Sequence, residues 1–264
     1  MMNRLAVNAV GDGLEETADF CRTQGIGIEV TDFAFPANLD GDLTAKIGRH
    51  RQALAGVPLI SCHGPFWELV ASSPDPAIVE VVGRRHTAAL WAAREIGATL
   101  YVAHTNFNPL IRDASYLRNF PKRMLDFWLP VADSAAENHI VICLENIWEP
   151  GPEIQAELIS TANHPNLKAS FDNGHALIFS SKPANYWIET LGDNLAHCHL
   201  HDNSGELDEH KPVGEGIENW PALMTAADRW ASHAILVMES DRLERNRLSL
   251  QRLQNLQLLP DKKT

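Results

Sequence analysis

Six short apolar runs in this 264-residue chain end in residues able to ligate a metal: Cys62-His63, Ala103-His104, Leu144-Glu145, Phe171-Asp172, His197-Cys198-His199 and Met238-Glu239. His175 follows Asp172 by three positions. Neutral imidazole offers a nitrogen lone pair and ionised carboxylate offers charge. That mixture suits Zn²⁺ or Mn²⁺ better than Mg²⁺, with Co²⁺ also compatible. One such residue at the end of a run is ordinarily a satisfied structural group. Six in succession are different, because burying them without a cation leaves unpaired charge that costs several kcal/mol per group. A divalent-metal site drawing on His63, His104, Glu145, Asp172, His199 and Glu239 is the reading these positions support.

Alternation along an extended chain sorts the neighbours. If His63 and His199 face inward, Cys62 and Cys198 face the opposite layer as buried apolar thiols. His197 shares the parity of His199 one layer deeper, and Asn146 is placed to orient a ligand or border the pocket. Glu29 reads equally as a carboxylate supporting a ligand and as a structural group. Residues 201–216 are dense in polar groups. Within them Asp208-x-His210, closed by Gly214-Glu215-Gly216, reads equally as solvated loop and as two further donors over the site.

The elements that must position these groups alternate in type. Strand-like runs occur at Leu5–Val10, Ile26–Val30, Pro58–His63, Thr99–His104, Ile140–Glu145, Leu167–Asp172, Leu195–His199 and Ile235–Glu239. Amphipathic stretches follow them, among them Leu14–Gln24, Leu43–Leu54, Pro76–Ile96, Leu117–Asn138, Ile154–Ala162, Ala184–Thr190, Trp220–Ser232 and Leu243–Leu256. Eight strand–helix units predict an α/β chain folded as one (β/α)8 TIM barrel spanning residues 1–264, with the C-terminal strand ends converging on one mouth. Gly25 and Gly97 read as helix C-caps. Pro121 and Pro130 predict a break in the fourth helical stretch. An open doubly wound sheet would need a glycine-rich phosphate loop after the first strand, and Asn8-Ala9-Val10-Gly11-Asp12-Gly13 is only faintly like one.

Composition sets outer bounds. With 45% hydrophobic and 21% charged residues, the chain has material for a full core. Its net charge of −12 argues against a general nucleic-acid or membrane-surface role. The four cysteines form no C-x-x-C pair, no signal peptide is visible, and no run approaches the roughly 18 apolar residues of a membrane span. A cytoplasmic protein with reduced thiols and no membrane partner is expected.

Together, His63-Gly64-Pro65-Phe66, Leu144-Glu145-Asn146, Phe171-Asp172-Asn173-Gly174-His175, His199-Leu200-His201-Asp202, Asp208-Glu209-His210 with Gly214-Glu215-Gly216, and Met238-Glu239-Ser240 resemble the xylose isomerase-like TIM-barrel superfamily. That superfamily contains sugar and sugar-phosphate isomerases and epimerases, and apurinic endonucleases of the endonuclease IV type. On the isomerase side the resemblance implies one divalent metal held by Glu145, Asp172, His199 and Glu239. Glu145 and Glu239 would then act as acid and base and His175 would contact the substrate, and His63, His104, Phe66 and Trp67 are the further candidates for binding a small carbohydrate. On the endonuclease side it implies three zinc ions on His63, His104, Glu145, Asp172, His175, His199, Asp208, His210 and Glu239.

The loops weigh between the two. Residues 33–42 contain no basic side chain, and residues 64–69 are aromatic and acidic, whereas a duplex-gripping enzyme needs Arg or Lys on phosphates. Phe35, Phe66, Trp67 and Trp148 are candidate pocket walls. The expected activity is isomerisation or epimerisation of a small sugar, sugar phosphate or polyol ketone, by proton abstraction beside a metal-polarised carbonyl. Dehydration of a keto acid is a related outcome. The alternatives are an endonuclease IV-like phosphodiesterase with a multinuclear zinc site, and a barrel that binds metal without catalysis.

Overall fold

A computed structural model describes residues 4–9 and 11–259. Eight short parallel strands pair in chain order and close on themselves: β1 (Leu5–Ala9), β2 (Gly27–Val30), β3 (Ile60–His63), β4 (Leu100–His104), β5 (Val141–Glu145), β6 (Leu167–Asp172), β7 (Leu195–Leu200) and β8 (Ile235–Met238). The outer layer comprises α1 (Leu14–Gln24), α2 (Pro36–Asp40), α3 (Leu43–Ala53), α4 (Pro76–Glu95), α5 (Ala114–Ala136), α6 (Glu153–Ala162), α7 (Asn173–Phe179), α8 (Ala184–Leu191), α9 (Trp220–Trp230) and α10 (Leu243–Asn255). This is the (β/α)8 barrel that the alternating pattern predicted. Among the described residues no helix is long and apolar enough to cross a membrane.

Strand parity divides the side chains into two cores. Outward residues such as Val7, Ile28, Cys62, Phe171 and Leu236 join the helix faces in one large buried cluster. Inward residues Leu100, Val102 and Cys143, with Val141 and Ile235 packed against them, form a second, smaller cluster that plugs the barrel. The buried carboxylates of Glu145 and Asp172 stand at the strand ends, beyond this apolar plug. All four cysteines are free and buried, and burial pushes the Cys198 thiol up to about 12, so these are inert packing groups.

Gly25 closes α1 at φ 68°, its N–H reaching the carbonyls of Cys21 and Arg22, and Gly97 follows α4 at φ 82°. Both are the left-handed caps expected there. The break expected at Pro121 and Pro130 does not occur: α5 runs unbroken through both prolines. Its stripe of Phe120, Met124, Trp128, Ala132 and Ala135 is continuously buried. Burial of its large side chains, at about 1.5–3 kcal/mol each, offsets the backbone bonds that the prolines remove.

Two short helices, α2 and α7, were not anticipated. The second matters for the site, since Asp172 both ends β6 and caps α7, accepting the His175 N–H at 2.7 Å. Between β6 and β7 the register shifts: Ala169 pairs with Leu195 but Ser170 pairs with His197, passing over Ala196. That shift sets Ser170 opposite His197 and Asp172 opposite His199 on the inward face.

Gly64, immediately after β3, lies so close to the Tyr101 ring that a β-carbon there would overlap it. Gly64→Ala is therefore expected to destabilise the barrel by about 1–3 kcal/mol through forced repacking. Chemical denaturation measures this; an unchanged midpoint would contradict the close approach.

Candidate metal centre

The top layer of the barrel gathers His63, His104, Glu145, Asp172, His199 and Glu239 from β3 to β7 and the residue after β8. The Glu145 carboxylate lies at its middle. His63 Nε2 stands 3.5 Å from Glu145 Oε2, and His104 Nε2 stands 3.8 Å from Oε1. His199 Nδ1 lies 3.3 Å from Glu145 Oε2, 3.5 Å from Glu239 Oε2 and 3.7 Å from Asp172 Oδ2. Donors that each sit about 2.1 Å from a common cation stand roughly 3.0–3.4 Å from one another. The spacing around His199 Nδ1 is close to that.

α7 and the loop after β7 extend the cluster outward. His175 Nδ1 approaches Glu145 at 3.4 Å and Asp172 at 3.6 Å, while its Nε2 lies 3.5 Å from Asp208 Oδ2. His210 completes the chain of contacts, with Nε2 3.1 Å from Asp208 and Nδ1 3.8 Å from Glu239. Asp208 and His210 are thus brought over the mouth, where the Asp208 side chain remains 38% exposed. Asp202 holds their loop: buried, it accepts the backbone N–H groups of Gly214 and Glu218 and the Trp220 indole N–H, and its own backbone pairs with Lys211. His210 adopts φ 46°, a left-handed conformation that a non-glycine residue keeps only when its surroundings impose it.

Supporting hydrogen bonds fix which imidazole nitrogen faces the cluster. His63 Nδ1–H donates to the Gly64 carbonyl at 2.8 Å, which leaves Nε2 for Glu145. His175 Nδ1–H donates to the Asn146 carbonyl at 3.0 Å, which leaves Nε2 toward Asp208. Asn146 also exchanges two hydrogen bonds with the Asp172 backbone, at 2.9 and 3.0 Å, tying β5 to β6 beneath the donors. Glu29 is fully buried below His199 and accepts from both His197 and His199.

Charges in this layer are mutually dependent. Burial raises the Glu145 carboxyl, but the imidazoles of His199, His104 and His175 outweigh it and hold the group well below the usual carboxylate range. Asp172, likewise opposed by burial, is held at about 2 by His175 and His201. Burial pushes the His104 imidazole down to about 3, the neutral form a ligand must have. His199 is different: burial lowers it, yet Glu239, Glu145 and Glu29 together raise it well above the ordinary histidine value.

The sites left open in this arrangement are informative. Glu145 Oε2 and His199 Nδ1 are buried with no hydrogen-bond partner among the described residues. Stranding buried polar atoms costs about 1–3 kcal/mol each, and more when charged. A proton on Nδ1 satisfies one contact; a cation satisfies several carboxylates and the imidazole at once. The donor set therefore fits a divalent cation.

His201 is a member of this layer that the sequence reading did not single out. It is buried, lies 3.2 Å from Asp172 Oδ1, and stacks on His210 with ring centroids 4.0 Å apart. Alternation past the end of β7 was the available signal, since residues 197, 199 and 201 share one parity. Gly174 is needed beside it, because a β-carbon there would run into the His201 ring. Of the aromatic candidates, Phe66 stacks on His104 at 4.8 Å and meets His63 edge-on at 5.2 Å. Trp67 contacts Phe66 but is 58% exposed at the rim. Phe35 and Trp148 are partly exposed and make no ring contact with the donors among the described residues.

With fold and donors in place, comparison with known proteins gives the family. A family model for the xylose isomerase-like TIM barrel matches residues 24–257, and the chain belongs to that family. An uncharacterized protein of Methanocaldococcus jannaschii, MJ1311, is 27% identical over 169 residues, or 61% of this chain; the match spans only 57% of that relative's length. Among solved structures, the TTHB071 protein from Thermus thermophilus, soaked with ZnCl2, is 29% identical over 100% of both chains with a TM-score of 0.73. A D-tagatose 3-epimerase-like protein superimposes with a TM-score of 0.77 at 21% identity, covering 96% of each chain.

The raised His199 imidazole sets a pH dependence. In the metal-free protein this ring keeps its proton to higher pH than an ordinary histidine, and burial notwithstanding, Glu239 and Asp208 raise His210 to about 9. A cation must displace such protons, so Mn²⁺ affinity is expected to rise with pH between about 6 and 8, roughly tenfold per unit for each proton released. Calorimetric titration in buffers of differing ionisation enthalpy counts those protons; a pH-independent affinity with no proton release would contradict the assignment.

Proposed function

We propose that the chain is a divalent-metal-dependent isomerase or epimerase of a small sugar, with Glu145, Asp172, His199 and Glu239 holding the cation. The observation that carries this reading is the approach of three carboxylates, Glu145, Asp172 and Glu239, to the unpartnered His199 Nδ1. A bound divalent ion would polarise a substrate carbonyl and acidify the adjacent C–H bond. Glu145, kept ionised by its imidazole neighbours, is the proton acceptor in this scheme. Glu239 reaches the cluster from β8 with its side chain 15% exposed, placed to return a proton from the mouth side. Phe66 and Trp67 offer ring faces on which the C–H surface of a sugar packs, and His104 and His175 offer polar contacts beside them. The likeness to a D-tagatose 3-epimerase-like structure supports a barrel suited to such chemistry.

The unbroken run of contacts from His63 to His210 favours a second reading, a phosphodiesterase with several zinc ions on the nine-donor set. Charge placement weighs against it. The segments between the eight strands and, in order, α1, α3, α4, α5, α6, α8, α9 and α10 are residues 10–13, 31–42, 64–75, 105–113, 146–152, 173–183, 201–219 and 239–242. They carry sixteen acidic residues and four basic ones, while the rest of the chain carries eighteen of each. Those segments follow the strand ends that form the mouth and hold an excess of twelve acidic residues, equal to the net charge of the chain. Such a field opposes a polyanionic backbone, and a sugar phosphate to a lesser degree, so an uncharged sugar is the favoured substrate.

Glu145→Gln tests the scheme. Incubated in D2O with Mn²⁺ and a panel of unphosphorylated ketohexoses and ketopentoses, the parent protein is expected to convert at least one and to place deuterium at the epimerised or isomerised carbon. The variant is expected to lose at least about 10²-fold of that exchange with its circular dichroism unchanged. Exchange at the parent rate would remove Glu145 from the role. Nicking of duplex DNA containing an abasic site, with no sugar turned over, would replace the reading with the second one.

A further inference from the structure

We propose that Glu29 is a positioning residue that dictates which nitrogen His199 presents to the metal centre. The proposal rests on His199 being a ligand and goes beyond it, to how the ligand is prepared. Glu29 stands on β2, fully buried on the barrel side of the sheet. Its Oε1 accepts from His199 Nε2 at 2.7 Å, and its Oε2 accepts from His197 Nε2 and the Ser61 hydroxyl, both at 2.9 Å. His197 is held in turn from its other side, where Nδ1 accepts the Ser170 hydroxyl at 2.8 Å. The two imidazoles cross at 89° with centroids 4.7 Å apart, so each points an N–H at a different oxygen of one carboxylate.

A neutral imidazole carries one proton, and a carboxylate at Nε2 draws it there. Nδ1 of His199 is then left as a lone pair, and Nδ1 is the atom that faces Glu145, Asp172 and Glu239. His197 contributes by occupying the second oxygen, which keeps the carboxylate from rotating away from His199. The pair of histidines at 197 and 199, the register shift that places them, and the buried acid on β2 thus act as one unit below the centre. A glutamine at position 29 has a single acceptor oxygen for two N–H donors. Its amide N–H₂ would press one ring to present a lone pair downward, and in His199 that moves the proton onto the metal-facing nitrogen.

Long-range ¹H–¹⁵N NMR of imidazole nitrogens, with Zn²⁺ added as the probe, reads the tautomer directly. In the parent protein His199 is expected to coordinate through Nδ1 with its proton on Nε2. Glu29→Gln is expected to weaken Zn²⁺ binding about 10–100-fold, the usual cost of losing a carboxylate behind a ligating histidine. The thermal midpoint of the variant in EDTA separates that loss from misfolding. If the variant does not fold, the parent spectrum alone decides. Coordination through Nε2, or Zn²⁺ affinity in the folded variant within twofold of the parent, would overturn the role of Glu29 while leaving the metal centre in place. Failure of the parent protein to bind Zn²⁺ would instead overturn the centre, and this proposal with it.

Discussion

His199 Nδ1 sits among three carboxylates, at 3.3 Å from Glu145, 3.5 Å from Glu239 and 3.7 Å from Asp172. Asp172 brings a carboxylate oxygen within 4.8 Å of one on Glu145 and of one on Glu239, and like charges gathered this closely inside a protein repel strongly unless a positive charge stands between them. Every other feature of the mouth is arranged around that concentration of donors. Imidazoles surround the carboxylates, backbone carbonyls and Glu29 fix the imidazole tautomers, and a capped helix and a pinned loop bring in His175, Asp208 and His210. The protein concentrates its buried polar groups where a cation can satisfy them, and fills the barrel below with Leu100, Val102 and Cys143.

The strands make this possible because β3 to β8 each bring an inward donor to the height of the mouth, at or beside their C-terminal ends. The pairing of His104 with Glu145 and of Asp172 with His199 places ligands from neighbouring strands side by side. That height depends on the register shift in β7; without it, Ala196 rather than His197 would face Ser170. The loops then add what strands cannot, since Asp208 and His210 reach the mouth only because Asp202 gathers the backbone of residues 202–218.

Much of this was legible in the sequence. Eight short β-branched or apolar runs separated by amphipathic stretches prescribe the barrel, and strand-end residues such as His63, Glu145 and Glu239 prescribe the mouth, because parity and chain order act locally. Other features were not legible, for identifiable reasons. The continuity of α5 through Pro121 and Pro130 is decided by packing of Phe120, Met124 and Trp128 on the barrel, which local propensity does not report. The position of Asp208-x-His210 depends on the hydrogen bonds that the Asp202 carboxylate accepts from Gly214, Glu218 and Trp220 across the loop. His201, although part of the His199-Leu200-His201-Asp202 motif, carries no site role in the sequence because it lies one residue past the strand, where alternation is usually lost. The tie between Glu29 and His199 joins residues 170 positions apart, a distance no spacing rule spans.

The central claim is that Glu145, Asp172, His199 and Glu239 share a cation. Diffraction from crystals grown with Mn²⁺, recorded where manganese scatters anomalously, tests it most directly. A peak bonded at about 2.0–2.3 Å to those four side chains, with His199 joined through Nδ1, is the predicted result. A well-ordered mouth with no anomalous peak, or a peak that misses Asp172 and His199, would contradict it.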